Sequence, residues 1–93
     1  MEIKEMNVED LFPYWNNPRK TEKAVDAVAE SIRQYGFKVP MIVDKNNIII
    51  AGHTRLEAAK KIGLEKVPVI VAEDLTEEQT KALRLADNKV AEF

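Results

Sequence analysis

The hydrophobic residues of this chain follow two periods, one typical of strands and one typical of helices. Four short segments are β-branched or alternate apolar with polar residues and predict strands at 2–6, 41–43, 48–50 and 67–71. Three longer segments repeat apolar residues every three or four positions and predict helices at 21–35, 53–62 and 76–90. Because strands and helices are interleaved, the pattern predicts an α+β domain with a small mixed sheet.

Residues with special backbone or capping properties mark the ends of the predicted helices. Thr21 can cap the first helix, and Gly36 lies where a left-handed C-cap is expected. Gly63 is expected to end the second helix, and Thr76 with Gln79 forms a capping box for the third. On the third helix the apolar face is expected to be Leu83, Ala86 and Val90, with Leu85 beside it.

The order of the predicted strands also suggests how they pair. A polar turn at 44–47 makes an antiparallel hairpin of 41–50, and the strand–helix–strand unit from Ile48 to Val71 allows one parallel pair. Pro68 indicates an edge strand or a strand start, since it has no backbone N–H. In the first strand, Ile3 and Met6 are expected to face inward.

Composition limits the classes of function. The 93 residues suffice for one domain with a modest core. The absence of cysteine excludes disulfides, thiolate nucleophiles and cysteine-ligated metals, and the single histidine predicts no metal site. A formal net charge of -2 is not that of a basic protein that wraps nucleic acid. Without a signal peptide or a membrane-length apolar run, a cytoplasmic protein with no membrane contact is expected.

The strongest candidate for chemistry is the junction between the third strand and the second helix. Three isoleucines are followed by Ala51-Gly52, and the helix then begins with His53, Thr54 and Arg55. A helix that starts at a glycine turn presents backbone N–H groups and its positive dipole end, which together bind anions. Arg55 adds a bidentate phosphate donor. The sequence therefore predicts a phosphate cradle; the alternative is a tight turn beside a solvated arginine.

A second candidate region is the loop between the first strand and the first helix. Phe12, Tyr14 and Trp15 lie beside prolines and are expected to pin this loop to the core, with stacking on a base as the alternative. The loop continues as Asn17-Pro18-Arg19. Arg19 could close over a bound phosphate, or it could be ordinary surface.

Three motifs in order resemble one family. They are the Asn17-Pro18-Arg19 loop, the connector Gly36-Phe37-Lys38-Val39-Pro40 and the run from Ala51 to Ala59. Together they resemble the ParB/sulfiredoxin superfamily, and more closely the ParB-like N-terminal domain, often labelled "ParB-like nuclease". The resemblance covers residues 1–75. Residues 76–93 resemble the helix that leads into a DNA methyltransferase in related phage and bacterial proteins, which implies a further domain downstream.

The resemblance implies a nucleoside triphosphate site, with CTP or ATP as the ligand and Mg²⁺ as its companion. Gly52, His53, Thr54, Arg55 and Arg19 would hold the phosphates, and residues 36–40 would lie towards the base. His53 stands where ParB proteins have Glu and sulfiredoxins have Cys, and Thr54 stands where they have Arg and His. Sulfiredoxin chemistry is therefore excluded, because it needs the cysteine.

Three functions follow as alternatives. The first is a nucleotide-binding module of a DNA partition or DNA modification protein, with DNA contacted through other domains and a homodimer as one form. The second is an enzyme, a nuclease or a nucleotide hydrolase, with His53 and Glu57 as candidate catalytic residues. The third is a protein-interaction module without a ligand, working through the Leu83–Val90 face.

Overall fold

The computed structural model describes residues 2–15 and 21–91, with side chains described as far as Asp87 in the last helix. The elements are β1 (Ile3–Asn7), a 3-10 turn (Val8–Asp10), α1 (Glu22–Tyr35), β2 (Met41–Val43), β3 (Ile49–Ala51), α2 (His53–Lys61), β4 (Lys66–Val71) and α3 (Glu77–Ala91). Every predicted strand and helix is present. Arg19 and its two preceding residues lie outside the described residues.

One four-stranded mixed sheet has the order β1-β4-β2-β3. The β1–β4 and β2–β3 pairs are antiparallel, and β2–β4 is parallel. The α+β class with a mixed sheet is thus confirmed. The expected parallel pairing across the 48–71 unit is wrong, because β2 lies between β3 and β4 and takes the parallel place itself.

Pro68 lies in an interior strand, so its interpretation as an edge-strand residue is wrong for β4 as a whole. It precedes Val69, the first β4 residue with a partner on β2. The segment around Pro68 therefore has a paired neighbour only on the β1 side, where Glu5 is its partner. A proline is tolerated there because it interrupts no ladder with β2.

The main core lies between the sheet and α2. Its fully buried members come from three strands and from α2, and they include Met41, Val43, Ile49, Val67, Val69, Leu56 and Ala59. Met6 packs against this core as expected, but Ile3 is 59% exposed. Strand side chains alternate between faces with a period of two, so residues three apart cannot both face inward.

Helix α1 packs against α2. The Thr21 hydroxyl accepts a hydrogen bond from the Ala24 N–H at 3.1 Å, which confirms the predicted cap. Gly36 closes α1 with a positive φ of 81°, but its ψ of 174° is extended rather than left-handed helical. The connector therefore leaves the helix in an extended direction, towards β2.

Helix α3 packs through a different face from the one expected. Its capping box is confirmed, since Thr76 and Gln79 exchange hydrogen bonds at 2.9 and 3.1 Å. The shielded positions are Thr80, Leu83, Arg84 and Asp87, whereas Ala86 and Leu85 are exposed. The Val90 side chain lies outside the described part. Polar contacts of Arg84 with β3 and its turn orient α3, so the apolar stripe does not decide the packing.

In the described part of the chain, no helix combines the length and the hydrophobicity needed to cross a membrane.

Substituting Gly52 by alanine is expected to lower the free energy of unfolding by about 3 kcal/mol or more. Gly52 has φ of 109°, and an added Cβ would lie 2.6 Å from Cγ of Met41. Gly63→Ala is the matched control, because Gly63 has φ of 77° and no heavy atom within 4 Å of an added Cβ. It should cost only the backbone strain, about 1 kcal/mol. Urea unfolding measures both, and equal losses would contradict the close approach at Gly52.

Candidate functional site at the start of helix α2

The chain turns from β3 into α2 at Gly52, which is buried and left-handed. The Gly52 carbonyl accepts the first helical hydrogen bond, from the Leu56 N–H at 3.0 Å. The N-cap residue Gly52 has no side chain that could accept a hydrogen bond from this helix start. The first turn of α2 carries no acidic residue. The positive dipole end of α2 therefore receives no negative charge from the first turn of its own helix.

The carboxylate of Asp87 on α3 lies near this helix start. The charge of Arg55 and the Gly52 N–H both act on it in the direction of a lower pKa. Burial raises the pKa of Asp87 above its ordinary value, and Arg55 and the Gly52 N–H only partly offset that rise. Asp87 is thus an acidic group that is desolvated more than it is compensated by its neighbours.

Arg55 links α2 to the connector before β2. Its Nη1 donates to the Pro40 carbonyl at 3.0 Å, and its side chain is half-buried. Burial lowers the pKa of Arg55, with the charge of Asp87 acting in the opposite direction. The guanidinium stays charged at neutral pH, because arginine starts from a very high pKa.

A cavity of about 300 Å³ lies between α1 and the connector. The second half of α1 and residues 36–39 line it, and Arg55 lines it as well. Its wall is mainly apolar, with Val28, Ile32 and Phe37 among the lining residues. This volume is at the lower end of the range for small-molecule sites. Arg55 therefore belongs both to the cavity and to the start of α2.

His53 is buried, with 6% of its surface exposed, although the sequence suggested that it faces a ligand. Its Nε2 accepts a hydrogen bond from the Tyr14 N–H at 3.1 Å. That geometry assigns a neutral ring with its proton on Nδ1, so Nε2 does not donate to a phosphate in this arrangement. His53 instead ties the loop after β1 to the start of α2. Thr54, next in the first turn, is half-buried.

Glu57, the other candidate catalytic residue, lies on a different surface. It lines a shallow depression between α1 and α2 together with Glu22 and the Lys60–Lys61 pair. Lys61 forms ion pairs there with Asp26 and, at 3.6 Å, with Glu22. The structure therefore brings together Gly52, Arg55 and the connector, while Glu57 belongs to the α1–α2 groove.

Arg84 is the central residue of a cluster that sequence reasoning missed. Its Nε donates to the Ile49 carbonyl at 3.1 Å and its Nη2 to Oδ2 of Asp44 at 3.3 Å. The guanidinium carbon lies 4.1 Å from the centroid of the Tyr14 ring, a cation–π geometry. Asp44 also accepts from the N–H groups of Asn46 and Ile48, which fixes the hairpin turn. A sequence signal existed, since an arginine interrupts an apolar run at Leu83-Arg84-Leu85.

The aromatic residues of the loop after β1 do not act together. Tyr14 is shielded beneath Arg84, but Phe12 is 52% and Trp15 85% exposed. The expectation that all three pin the loop to the core is wrong for Phe12 and Trp15. The backbone of this loop is held by His53 and by hydrogen bonds between Phe12 and the hairpin residues Asn47 and Ile49, so the two rings are not required for anchoring.

Comparison with known proteins identifies the family of this chain. The family model of the ParB N-terminal domain matches residues 1–89. The chain belongs to the ParB N-terminal domain family. It is 43% identical over 74 residues to the ParB-like nuclease domain-containing protein YnaK of Escherichia coli, covering 77% of this chain and 84% of that one. Other curated relatives are longer, and the chain spans about a third of their length or less.

Solved structures share the fold. ParB of Caulobacter crescentus, complexed with CTP-gamma-S, superposes with a TM-score of 0.80 at 28% identity, over 95% of this chain and 53% of that one. The same protein complexed to the centromeric parS site gives 0.73 at 26%, over 91% and 46%. Sulfiredoxin of Arabidopsis thaliana gives 0.74 at 24%, over 89% and 97%, which shows the fold alone. The ParB/sulfiredoxin resemblance is thereby confirmed.

Replacing Asp87 by asparagine tests whether its carboxylate is desolvated in the folded protein. Because the pKa of Asp87 is higher in the folded than in the unfolded chain, the folded state binds its proton more tightly. The stability that Asp87 contributes is then present at low pH and lost as the pH rises through its folded pKa. Stability of Asp87→Asn relative to wild type should therefore increase from about pH 4 to about pH 7.

Urea unfolding across this pH range measures the difference, and exposed Glu78 on α3 supplies the control variant Glu78→Gln. If the free energy of unfolding of Asp87→Asn, relative to wild type, falls as the pH rises, the surroundings of Asp87 stabilise its charged form, which contradicts the prediction.

Proposed function

We propose that this chain is a nucleotide-binding module that takes a nucleoside triphosphate across the start of α2 and the neighbouring cavity. The observation that carries the proposal is the position of Arg55, which lines the cavity and also lies beside Gly52 at the helix start. A single ligand with an anionic end and a flat, less polar end could bind both the start of α2 and the cavity. CTP is the first nucleotide to test, since the related Caulobacter protein was crystallised with CTP-gamma-S.

The phosphates would bind at the first turn of α2. The backbone N–H groups of residues 52–54 point out of a helix start, and the dipole favours an anion there. Arg55 would add charge-assisted hydrogen bonds, and the Thr54 hydroxyl a neutral one. His53 contributes through its backbone and by holding the Tyr14 loop, since its Nε2 is already engaged. A contact from Arg19 stays a prediction.

The base would enter the cavity between α1 and the connector. Apolar side chains from both walls suit the faces of an aromatic ring. The extended connector that follows Gly36 offers backbone N–H and C=O groups for the base edge. Mg²⁺ would arrive with the phosphates, because it keeps mostly water and phosphate oxygens as ligands and needs few from the protein.

The wider role proposed is in DNA transactions. The Caulobacter relative also forms a complex with the parS site, which links this fold to chromosome partition in that protein. The present chain has a net charge of -2, so DNA would be contacted by other parts of a longer protein or assembly. The expected DNA methyltransferase neighbour, the division at residue 75 and the homodimer stay predictions, and nucleotide or DNA hydrolysis is not part of the proposal.

Arg55→Ala should weaken CTP binding by about 10- to 150-fold, the range of a lost charge-assisted hydrogen bond. Isothermal titration calorimetry of the full chain, with Mg²⁺ present, measures the change, and ATP, GTP and UTP test the base preference. Arg33→Ala is the matched control, because Arg33 is an exposed α1 arginine paired with Glu30 at 3.5 Å. Equal affinities for wild type and Arg55→Ala would remove Arg55 from the site.

Filling the cavity with a larger side chain should distinguish binding of the base from binding of the phosphates. Ser31 lines the cavity on α1, and Ser31→Phe is expected to abolish CTP binding while inorganic tripolyphosphate still binds. Gln34→Phe adds the same ring to an exposed position of α1 and serves as the control. Two results would contradict the assignment of the base to this cavity. One is that Ser31→Phe, but not Gln34→Phe, loses tripolyphosphate binding; the other is that Ser31→Phe binds CTP as well as wild type does.

A further inference from the structure

The loop after β1 contacts two elements that are far apart along the chain, α3 and the start of α2. The guanidinium carbon of Arg84 on α3 lies 4.1 Å from the centroid of the Tyr14 ring. Through its backbone, Tyr14 also contacts α2, because its N–H donates to Nε2 of His53 at 3.1 Å. His53 is the first residue of α2. The contacts of Tyr14 therefore form a continuous path from α3 to the first turn of α2.

Arg84 is the fixed end of this path. Its side chain is buried, and it donates to the Ile49 carbonyl of β3 and to the Asp44 carboxylate of the hairpin turn. Asp44 itself accepts hydrogen bonds from two backbone N–H groups of the turn, which hold its carboxylate in place. A planar guanidinium with these partners has little freedom, so it presents a fixed surface to the Tyr14 ring.

His53 is the hydrogen-bond acceptor at the other end of the path. Its side chain is buried, and Nε2 can accept the Tyr14 N–H only while that nitrogen carries no proton. The backbone of the loop is also held at Phe12, which exchanges hydrogen bonds with Asn47 and Ile49 of the hairpin. Tyr14 lies two residues further on, so the hydrogen bond to His53 sets where the loop runs beside the start of α2.

We infer that Arg84 is a positioning residue for the phosphate site at the start of α2, and that it acts through Tyr14 and His53. The inference rests on the proposed nucleotide site and adds α3 to it. The backbone N–H groups of residues 53 and 54 are among the proposed phosphate donors, and the Tyr14 loop holds the first of these residues. Helix ends fray, so a first turn that is already held binds an anion with less loss of entropy.

Substitutions of His53 test the hydrogen bond to Tyr14, by calorimetric titration of the full chain with CTP and with inorganic tripolyphosphate in the presence of Mg²⁺. His53→Leu removes the acceptor and should weaken the binding of both ligands about three- to tenfold, because the loop and the first turn must then be ordered on binding. His53→Gln restores an acceptor, since its side-chain oxygen can replace Nε2, and it should bind both ligands as wild type does. Neither substituted side chain is charged, so equal affinities for the two variants would overturn the inference.

Arg84→Met tests the coupling to α3. Alone it should weaken tripolyphosphate binding by about the same factor as His53→Leu, and the double variant should bind no more weakly than either single variant, because both substitutions break one path. Losses that multiply in the double variant would show two independent effects and would refute the path. Arg33→Met removes an exposed arginine of α1 and should leave the affinity unchanged.

Tyr14→Ala provides a second variant if Arg84→Met does not fold. It removes the ring beside the Arg84 guanidinium but keeps the backbone N–H of residue 14 and the hydrogen bonds of Arg84 with Ile49 and Asp44. Tripolyphosphate binding should again be weaker than in wild type. Undiminished binding by Tyr14→Ala would contradict a role of Arg84 that passes through the Tyr14 ring.

A measurement without ligand separates this inference from the proposed function. Hydrogen exchange at the amide of residue 14 should accelerate in His53→Leu and in Arg84→Met, and should keep its wild-type rate in His53→Gln. If this pattern is found but wild type binds neither CTP nor tripolyphosphate, the proposed function is wrong, and the role of Arg84 in phosphate binding is wrong with it. If wild type binds CTP and exchange is unchanged in Arg84→Met, the present inference alone is wrong.

Discussion

The left-handed turn at Gly52 is the constraint on which the rest of the site depends. The backbone passes so close to Met41 that no side chain fits, and this contact places the start of α2 directly against β2. Arg55, three residues later, then reaches the Pro40 carbonyl and the cavity beside α1. A single backbone geometry thus brings a helix dipole, an arginine and a cavity to one place.

Electrostatics explains why α3 belongs to the same unit. A buried helix start without a capping side chain carries positive potential that favours an anion. Asp87 brings a carboxylate near this start, where burial raises its pKa, and the buried contacts of Arg84 hold α3 against β3 and its turn. The family match extends to residue 89 and so covers Arg84 and Asp87. The site and α3 are therefore best understood as one electrostatic arrangement.

The parts of this structure that local sequence patterns determine could be predicted from the sequence. Gly52, Arg55 and the connector could be predicted, because a glycine turn between a β-branched strand and a helix has few geometries. The roles of Arg84 and Asp87 could not, since the groups that act on them lie 32 or more residues away along the chain. The same holds for His53, whose partner Tyr14 is 39 residues distant. The inward face of α3 was mispredicted because buried polar contacts outweighed its apolar stripe.

The central question is whether a nucleotide contacts the start of α2 and the connector together. The most direct measurement is an NMR titration of the isotope-labelled chain with CTP, following the backbone amides. The largest shifts are expected at residues 52–55 and 36–40. Shifts confined to other surfaces, or none at saturating CTP, would contradict the central claim.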